Sequence, residues 1–220
     1  MIEEFFNIFL IDATHNLYNY IVNFKCSGTT RWFFLHSIIN FIVVYYGIND
    51  VYKCITNSSE CYKITWNYNS VKVYNYATSL HIYHCIFFTL TKDDYLHHFF
   101  MVAICGTLCY ILKSIISSFA LFFLTGLPGA IDYMLLYLVK TNKINSITEK
   151  KIYTFISAYI RAPGCTYTLA IGMNGVFNYY NQKDYTKLLT LIITIFLIFL
   201  NGQYYLMKSH ESYISKIYFT

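Results

Sequence analysis

From Leu188 to Met207 the chain runs for 20 residues without an acidic, basic or histidine side chain. A helix needs roughly 20 apolar residues to cross a bilayer core, so this one run already points to a membrane. It is not isolated. Further apolar stretches cover Phe5–Phe24, Trp32–Tyr52, Val73–Leu90, His97–Leu112, a fifth ending at Val139, and Ile152–Phe177. Only 12% of the 220 residues are charged, about half of what a soluble domain uses to cover its surface. Two prolines in the whole chain exclude a proline-rich disordered segment. The expected architecture is all-α: one polytopic membrane bundle, residues 1–220, with six to seven spans. Any chemistry must then sit inside the bundle or at its rim.

The first run is the weakest, because Asp12, His15 and Asn16 interrupt it. It reads either as a crossing helix or as a helix lying at the interface. The N-terminal Met1-Ile2-Glu3-Glu4 lacks the positive n-region of a cleaved signal, so this run is expected to stay in the protein. Lys113 and the pair Ser117-Ser118 mark a short turn before the fifth span. Gly126-Leu127-Pro128-Gly129 and Arg161-Ala162-Pro163-Gly164 are expected to kink or interrupt the spans that hold them.

With seven crossings, one side collects Lys25, Arg31, Lys92, Lys140, Lys143, Lys150, Lys151, Lys208 and Lys216. The other collects Lys53, Lys63, Lys72, Lys113, Lys183 and Lys187. The nine-charge side is expected to be cytosolic, with the C-terminus there. Loop cations explained by orientation leave no case for nucleic-acid binding. Asn57-Ser58-Ser59 on the other side is an N-glycosylation sequon. Cys54 and Cys61 flank it and are a candidate disulfide in an oxidising lumen. Chance explains both signals equally well.

An ionisable group in a membrane span costs about 2.5–3.5 kcal/mol and so faces a partner or a cavity. His81 and His84 share one helix face. His97 and His98 open the fourth span directly after Asp93-Asp94. His36, Asp132 and Arg161 lie in three others. Histidine can move a proton near neutral pH, so His97, His98, His84 and His81 are the candidate catalytic groups. Arg161, Asp132 and His36 are the candidate substrate-binding groups. Equally, each histidine can simply satisfy a hydrogen bond between helices. Arg161 and Asp132 read as a buried ion pair, or Arg161 as the receptor of a phosphate or carboxylate. Adjacent His97 and His98 are expected to diverge, one inward and one against another helix. His-x-x-His followed by His-His also invites a di-iron reading. With seven histidines, and His15 and His210 far from the others, no metal is expected.

Six segments in order resemble the TLC-domain family, which includes the ceramide synthases and the translocating-chain-associated membrane proteins. They are Arg31–Ser37, Leu80–His84, Asp94–His98, Leu127-Pro128 with Tyr133–Tyr137, Phe155–Arg161, and Leu200–Lys208. The resemblance covers residues 31–208. It implies a helical bundle around a lipid-accessible cavity, residence in the endoplasmic reticulum, and a role in lipid metabolism. It also implies long-chain acyl or sphingoid lipids as partners and acyl-coenzyme A as co-substrate, with no bound cofactor. The histidine pair of the synthases corresponds to His97-His98. Their later His-Asp pair is absent, since the fifth span reads Thr125-Gly126-Leu127-Pro128-Gly129, and His84 stands where an aspartate is frequent. The resemblance therefore implies either acyl transfer to a lipid amine or alcohol, or a non-enzymatic relative that binds lipid, alters membrane composition or escorts cargo. It speaks against ceramide synthesis proper.

Overall fold

The computed structural model describes residues 1–218. Seven long helices carry nearly all of them: α1 (Ile2–Ile21), α2 (Gly28–Thr56), α3 (Tyr68–Phe87), α4 (Lys92–Leu112), α5 (Ile115–Lys140), α6 (residues 146–181) and α7 (Tyr185–Tyr218). No strand occurs among the described residues. Four of the helices, α2, α4, α5 and α7, are each long and apolar enough to cross a membrane. The chain is thus a helical integral membrane protein. Its outer faces carry side chains such as Phe41, Tyr45, Phe100, Leu189 and Phe196, all exposed on the bundle surface.

Polar residues start the helices. Ser27 accepts the Thr30 amide (3.2 Å) ahead of α2. Asn67 and Ser70 form a reciprocal capping box at α3, and Thr91 and Asp94 another at α4. The α4–α5 turn is tighter than the serines suggest. It sits at Lys113, whose φ of 47° is left-handed, and its backbone bonds to the α2–α3 loop through Trp66 N to Lys113 O (2.8 Å) and Ile115 N to Ile64 O (3.0 Å). Ser117 and Ser118, expected in the turn, are buried inside α5. Ser117 returns its hydroxyl to the Ser114 carbonyl at 2.6 Å, which lets a serine stay helical in an apolar setting.

Neither proline interrupts its helix. Each follows a widened, π-type turn, residues Phe122–Gly126 in α5 and Ser157–Arg161 in α6. There Leu127 N bonds to Phe122 O and Ala162 N to Ser157 O, five residues back. A wider turn moves aside the carbonyl that a proline ring would otherwise strike. A third such stretch, His98–Gly106, lies in α4.

The first helix is inside out. Glu4, Ile8, Asp12, His15 and Asn19, one stripe at spacings of three and four, are its buried residues. Phe6, Phe9, Leu10, Leu17 and Tyr18 face outward. The polar stripe is matched across the seam. Lys72 of α3 meets Glu4 (2.8 Å) and Glu3 (2.9 Å), Arg31 of α2 meets Asp12 (3.3 Å), and Tyr83 donates to Asp12 (2.7 Å). Lys72 and Arg31, counted above as loop cations, are therefore helix residues paired to α1. One leaves each side of the charge tally, so its bias keeps its sign. The apolar side chains of α1 face away from the bundle, and the polar groups that weakened the first span are what dock it.

Candidate functional site

The seven histidines divide cleanly. His36, His81, His84, His97 and His98 all line one cavity between the helices, together with Asp93, Asp94, Asp132 and Arg161. All seven candidate site residues thus line one cavity. His15 sits outside it, stacked on Phe34 at 4.1 Å between ring centroids, and His210 is exposed near the end of α7.

The histidine end is built by the C-terminal turns of α3 and the first turns of α4. His81 Nδ1 lies 2.7 Å from the Ala77 carbonyl oxygen. A carbonyl only accepts, so that nitrogen carries the proton and Nε2 of the neutral ring is an acceptor. His97 Nε2 lies 3.4 Å from His81 Nε2 and is the donor in that contact. His98 turns to a different rung of α3, with Nδ1 3.2 Å from Cys85 Sγ and its ring 5.3 Å from His84. Adjacent His97 and His98 therefore do not diverge as expected. Both face α3 and both line the cavity, because successive rungs of one helix receive them.

Aromatic rings hold the remaining imidazoles. His84 lies flat on Trp32, with centroids 3.8 Å apart and planes 9° apart. His36 packs between Trp32 (4.7 Å) and Tyr133 (3.8 Å), and its Nδ1 has no hydrogen-bond partner. Asp94 does not orient a histidine by a hydrogen bond. Its Oδ2 accepts the amide and hydroxyl of Thr91 at 2.8 and 2.7 Å. Among the described residues, no three His, Cys, Asp or Glu side chains are grouped so that they could hold one metal ion.

A second polar group comes from α5, α6 and α7. Arg161 is buried and donates from Nη1 to the Tyr153 hydroxyl (2.8 Å). Its guanidinium lies over the rings of Tyr205 (4.9 Å) and Tyr153 (5.4 Å). Of the two readings of Arg161, the ion pair with Asp132 is not formed. The two share the cavity, but Arg161 Nε and Asp132 Oδ1 are buried without a hydrogen-bond partner. The aromatic clamp explains this, since it holds the guanidinium toward α7 and away from α5.

The rest of the cavity is mostly apolar. Ala77, Met101, Val102, Cys105, Leu124 and Ile198 line it between the histidines and the far end at Cys109 and Ser117. Asp94 to Cys109 on α4 spans about 20 Å of helix axis. The cavity is therefore long, polar at one end and oily at the other. The polar end lies at the same end of the bundle as the start of α4 and the end of α5, the side with the larger share of lysines.

Sequence reasoning missed Trp32, Tyr133, Tyr153 and Tyr205. The one signal was spacing. Trp32 precedes His36 by four residues, and Tyr153 precedes Arg161 by eight, so each pair shares a helix face. Outside the cavity, Asn57 is exposed at the end of α2. Cys54 and Cys61 are buried free thiols in contact with each other, and Cys61 Sγ also donates to the Ser58 carbonyl (3.6 Å). No family model, no curated protein and no solved structure matches this chain.

Proposed function

We propose that the cavity binds a long-chain lipid and that the protein works as an acyl transferase of TLC type. In this reading it moves an acyl chain from acyl-coenzyme A to a lipid amine or alcohol in an endoplasmic-reticulum-like membrane. The observation that carries this is the polarity gradient of the cavity, with histidines at one end and an apolar trough behind them that runs from Met101 to Cys109, about 12 Å of helix axis. A hydrocarbon chain fits the trough and leaves its head at the imidazoles. The larger lysine share at that end supports a cytosolic mouth, the side on which acyl-coenzyme A is found.

His97 is the general base. Its Nε2 hydrogen bond to His81 leaves the lone pair on Nδ1. That nitrogen takes the proton from the acceptor as the acceptor N or O attacks the thioester carbonyl carbon. The new C–N or C–O bond forms, the C–S bond breaks, and the departing thiolate receives the proton from His97. His81 steadies the imidazolium through the contact at 3.4 Å and is itself fixed by Ala77. A second reading has its own observation. Asp94 takes its hydrogen bonds from Thr91, so it does not orient a histidine by a hydrogen bond, which favours a lipid-binding protein without turnover.

The test uses protein purified in a non-ionic maltoside detergent, a long-chain acyl-coenzyme A, and long-chain amine or alcohol acceptors. Thiol release and the acylated product, by mass spectrometry, are the readouts. General base catalysis contributes about 10²–10⁴-fold, so His97→Ala should lose at least about 100-fold while keeping the wild-type melting temperature. Undiminished turnover in that variant overturns the mechanism. Lipid binding without turnover in the wild type selects the second reading.

A further inference from the structure

Arg161 and Asp132 pose a problem that the histidine chemistry does not solve. Each is less than a tenth exposed (5% and 8%). Each has a buried polar atom with no partner, Nε on Arg161 and Oδ1 on Asp132. An unpaired buried charge costs several kcal/mol, and the usual remedy is direct contact between the two. Here contact is absent although both side chains line the same cavity. Arg161 is held off by Tyr153 and Tyr205, which fix its plane through one hydrogen bond and two ring faces. Asp132 receives no donor from any described residue.

From this geometry we infer that Arg161 and Asp132 bracket a zwitterionic head group, with Arg161 on its phosphate or carboxylate and Asp132 on its ammonium. The inference rests on reading the cavity as a lipid site, and it names the class of lipid. An anion alone would satisfy Arg161 and be repelled by Asp132. A cation alone would do the reverse. A head carrying both charges on neighbouring atoms neutralises both walls. Guanidinium suits an anionic oxygen pair, because its donors form a planar fork. Tyr205, which lies against Arg161, is also an edge neighbour of the His97 ring (6.2 Å), so the end of the head held by Arg161 lies one ring away from the proposed base. The apolar trough continues from the same cavity and takes the chain.

The experiment measures binding without acyl-coenzyme A, in maltoside micelles, by the fluorescence of Trp32, which lines the cavity and stacks on His84. A Trp32→Phe variant supplies the background. Four probes are compared: lysophosphatidylethanolamine, with both charges and a chain; lysophosphatidic acid, an anion with a chain; a long-chain primary amine, a cation with a chain; and O-phosphoethanolamine, the head alone. One charge-assisted hydrogen bond is worth about tenfold or more in affinity. The zwitterionic lipid should bind about tenfold tighter than either single-charge lipid, and the chainless head far more weakly. Asp132→Asn should remove the advantage over lysophosphatidic acid, and Arg161→Gln the advantage over the amine. If either variant misfolds, the wild-type series alone decides. Equal affinity for the three lipids overturns this inference and leaves the lipid reading standing. Tight binding of the chainless head overturns it too, since the ligand would then be a free metabolite. If none of the three lipids binds, the lipid reading itself fails.

Discussion

The seam between α6 and α7 positions Arg161, Tyr153 and Tyr205, and it is held close by one small residue. Gly202 of α7 faces Cys165 of α6. A Cβ added at Gly202 would stand 2.6 Å from Cys165 Cβ, 2.9 Å from its Sγ, and 3.7 Å from Ala162 Cα. Comfortable carbon–carbon contact is about 3.5–4.0 Å, so Gly202→Ala must push the helices apart by about 1 Å. Rotating Cys165 does not help, because its Cβ is fixed to the backbone. Overpacking of this kind costs about 1–3 kcal/mol. Alanine returns about 0.8–1.0 kcal/mol over glycine in a helix. The balance is a loss of about 1 kcal/mol, which for a chain this size lowers the melting temperature by about 2–4 °C.

The assay is thermal unfolding in maltoside, followed by fluorescence-detected size exclusion and by tyrosine and tryptophan emission. The decisive comparison is a double-mutant cycle with Cys165→Gly, which takes the opposing Cβ away. Gly202→Ala should cost less in the Cys165→Gly background than in the wild type, a coupling of about 1 kcal/mol in the rescuing direction. Gly28→Ala is the control. Nothing lies within 4 Å of its added Cβ, so its effect should stay within about 0.5 kcal/mol. A Gly202→Ala protein that melts at or above the wild type, with no coupling to Cys165, refutes the packing argument. The same separation displaces Tyr205 against Arg161. A misplacement of about 1 Å can cost about 100-fold in rate, so the proposed acyl transfer should fall more than stability does.

Two further outcomes follow from charges elsewhere. Lys72→Met takes one of two cations from the buried Glu4 carboxylate, the Met1 ammonium (2.6 Å) being the other, and should cost about 1.5–3 kcal/mol in thermal unfolding, part of it recovered when Glu4→Leu is added; equal loss in the single and double variants would show that the pair is not what docks α1. Asp184, just ahead of α7, accepts the Lys187 amide (3.1 Å) and meets Lys187 Nζ (3.2 Å), and these contacts hold its carboxyl below the usual range; its contribution is present above the unfolded carboxylate value near 4 and lost as pH falls through the folded one, so Asp184→Ala should flatten the stability-against-pH curve below about pH 4, and an unchanged curve would remove it as a cap.

What could be read from the residues was whatever is expensive in a membrane. A histidine or an arginine in an apolar run must be accommodated, and His36, His81, His84, His97, His98, Asp132 and Arg161 do meet on one cavity. The aromatic residues that hold them could not be picked out the same way. With 20% of the chain aromatic, Trp32 or Tyr205 carries no signal until a neighbouring helix is known. The polarity of α1 was visible, but it was read as interruption. Only the partners on α2 and α3 turn Glu4 and Asp12 into a docking face. Ser117-Ser118 misled for a local reason, since a serine that bonds back to its own helix looks like a turn residue in sequence.

The three widened helical turns give a last indication of where this chain departs from regular structure for a purpose. Each touches the cavity: Met101, Val102, Cys105 and Gly106 from α4, Leu124 and Thr125 from α5, Arg161 from α6. Two are accounted for by the proline that follows. The α4 stretch, His98–Gly106, is the longest and has no proline within it or after it in that helix. Wide turns trade good hydrogen-bond geometry for a change of direction, and they collect at functional sites. What this one accompanies is the placement of His97 against His81 and of His98 against Cys85, at the helix end where the cavity is polar. A helix in regular register throughout would only have to pack against lipid on one side and the bundle on the other. The irregular stretch begins at His98, the second of two adjacent histidines that both line the cavity, so the change of helical register in α4 coincides with the placement of the pair.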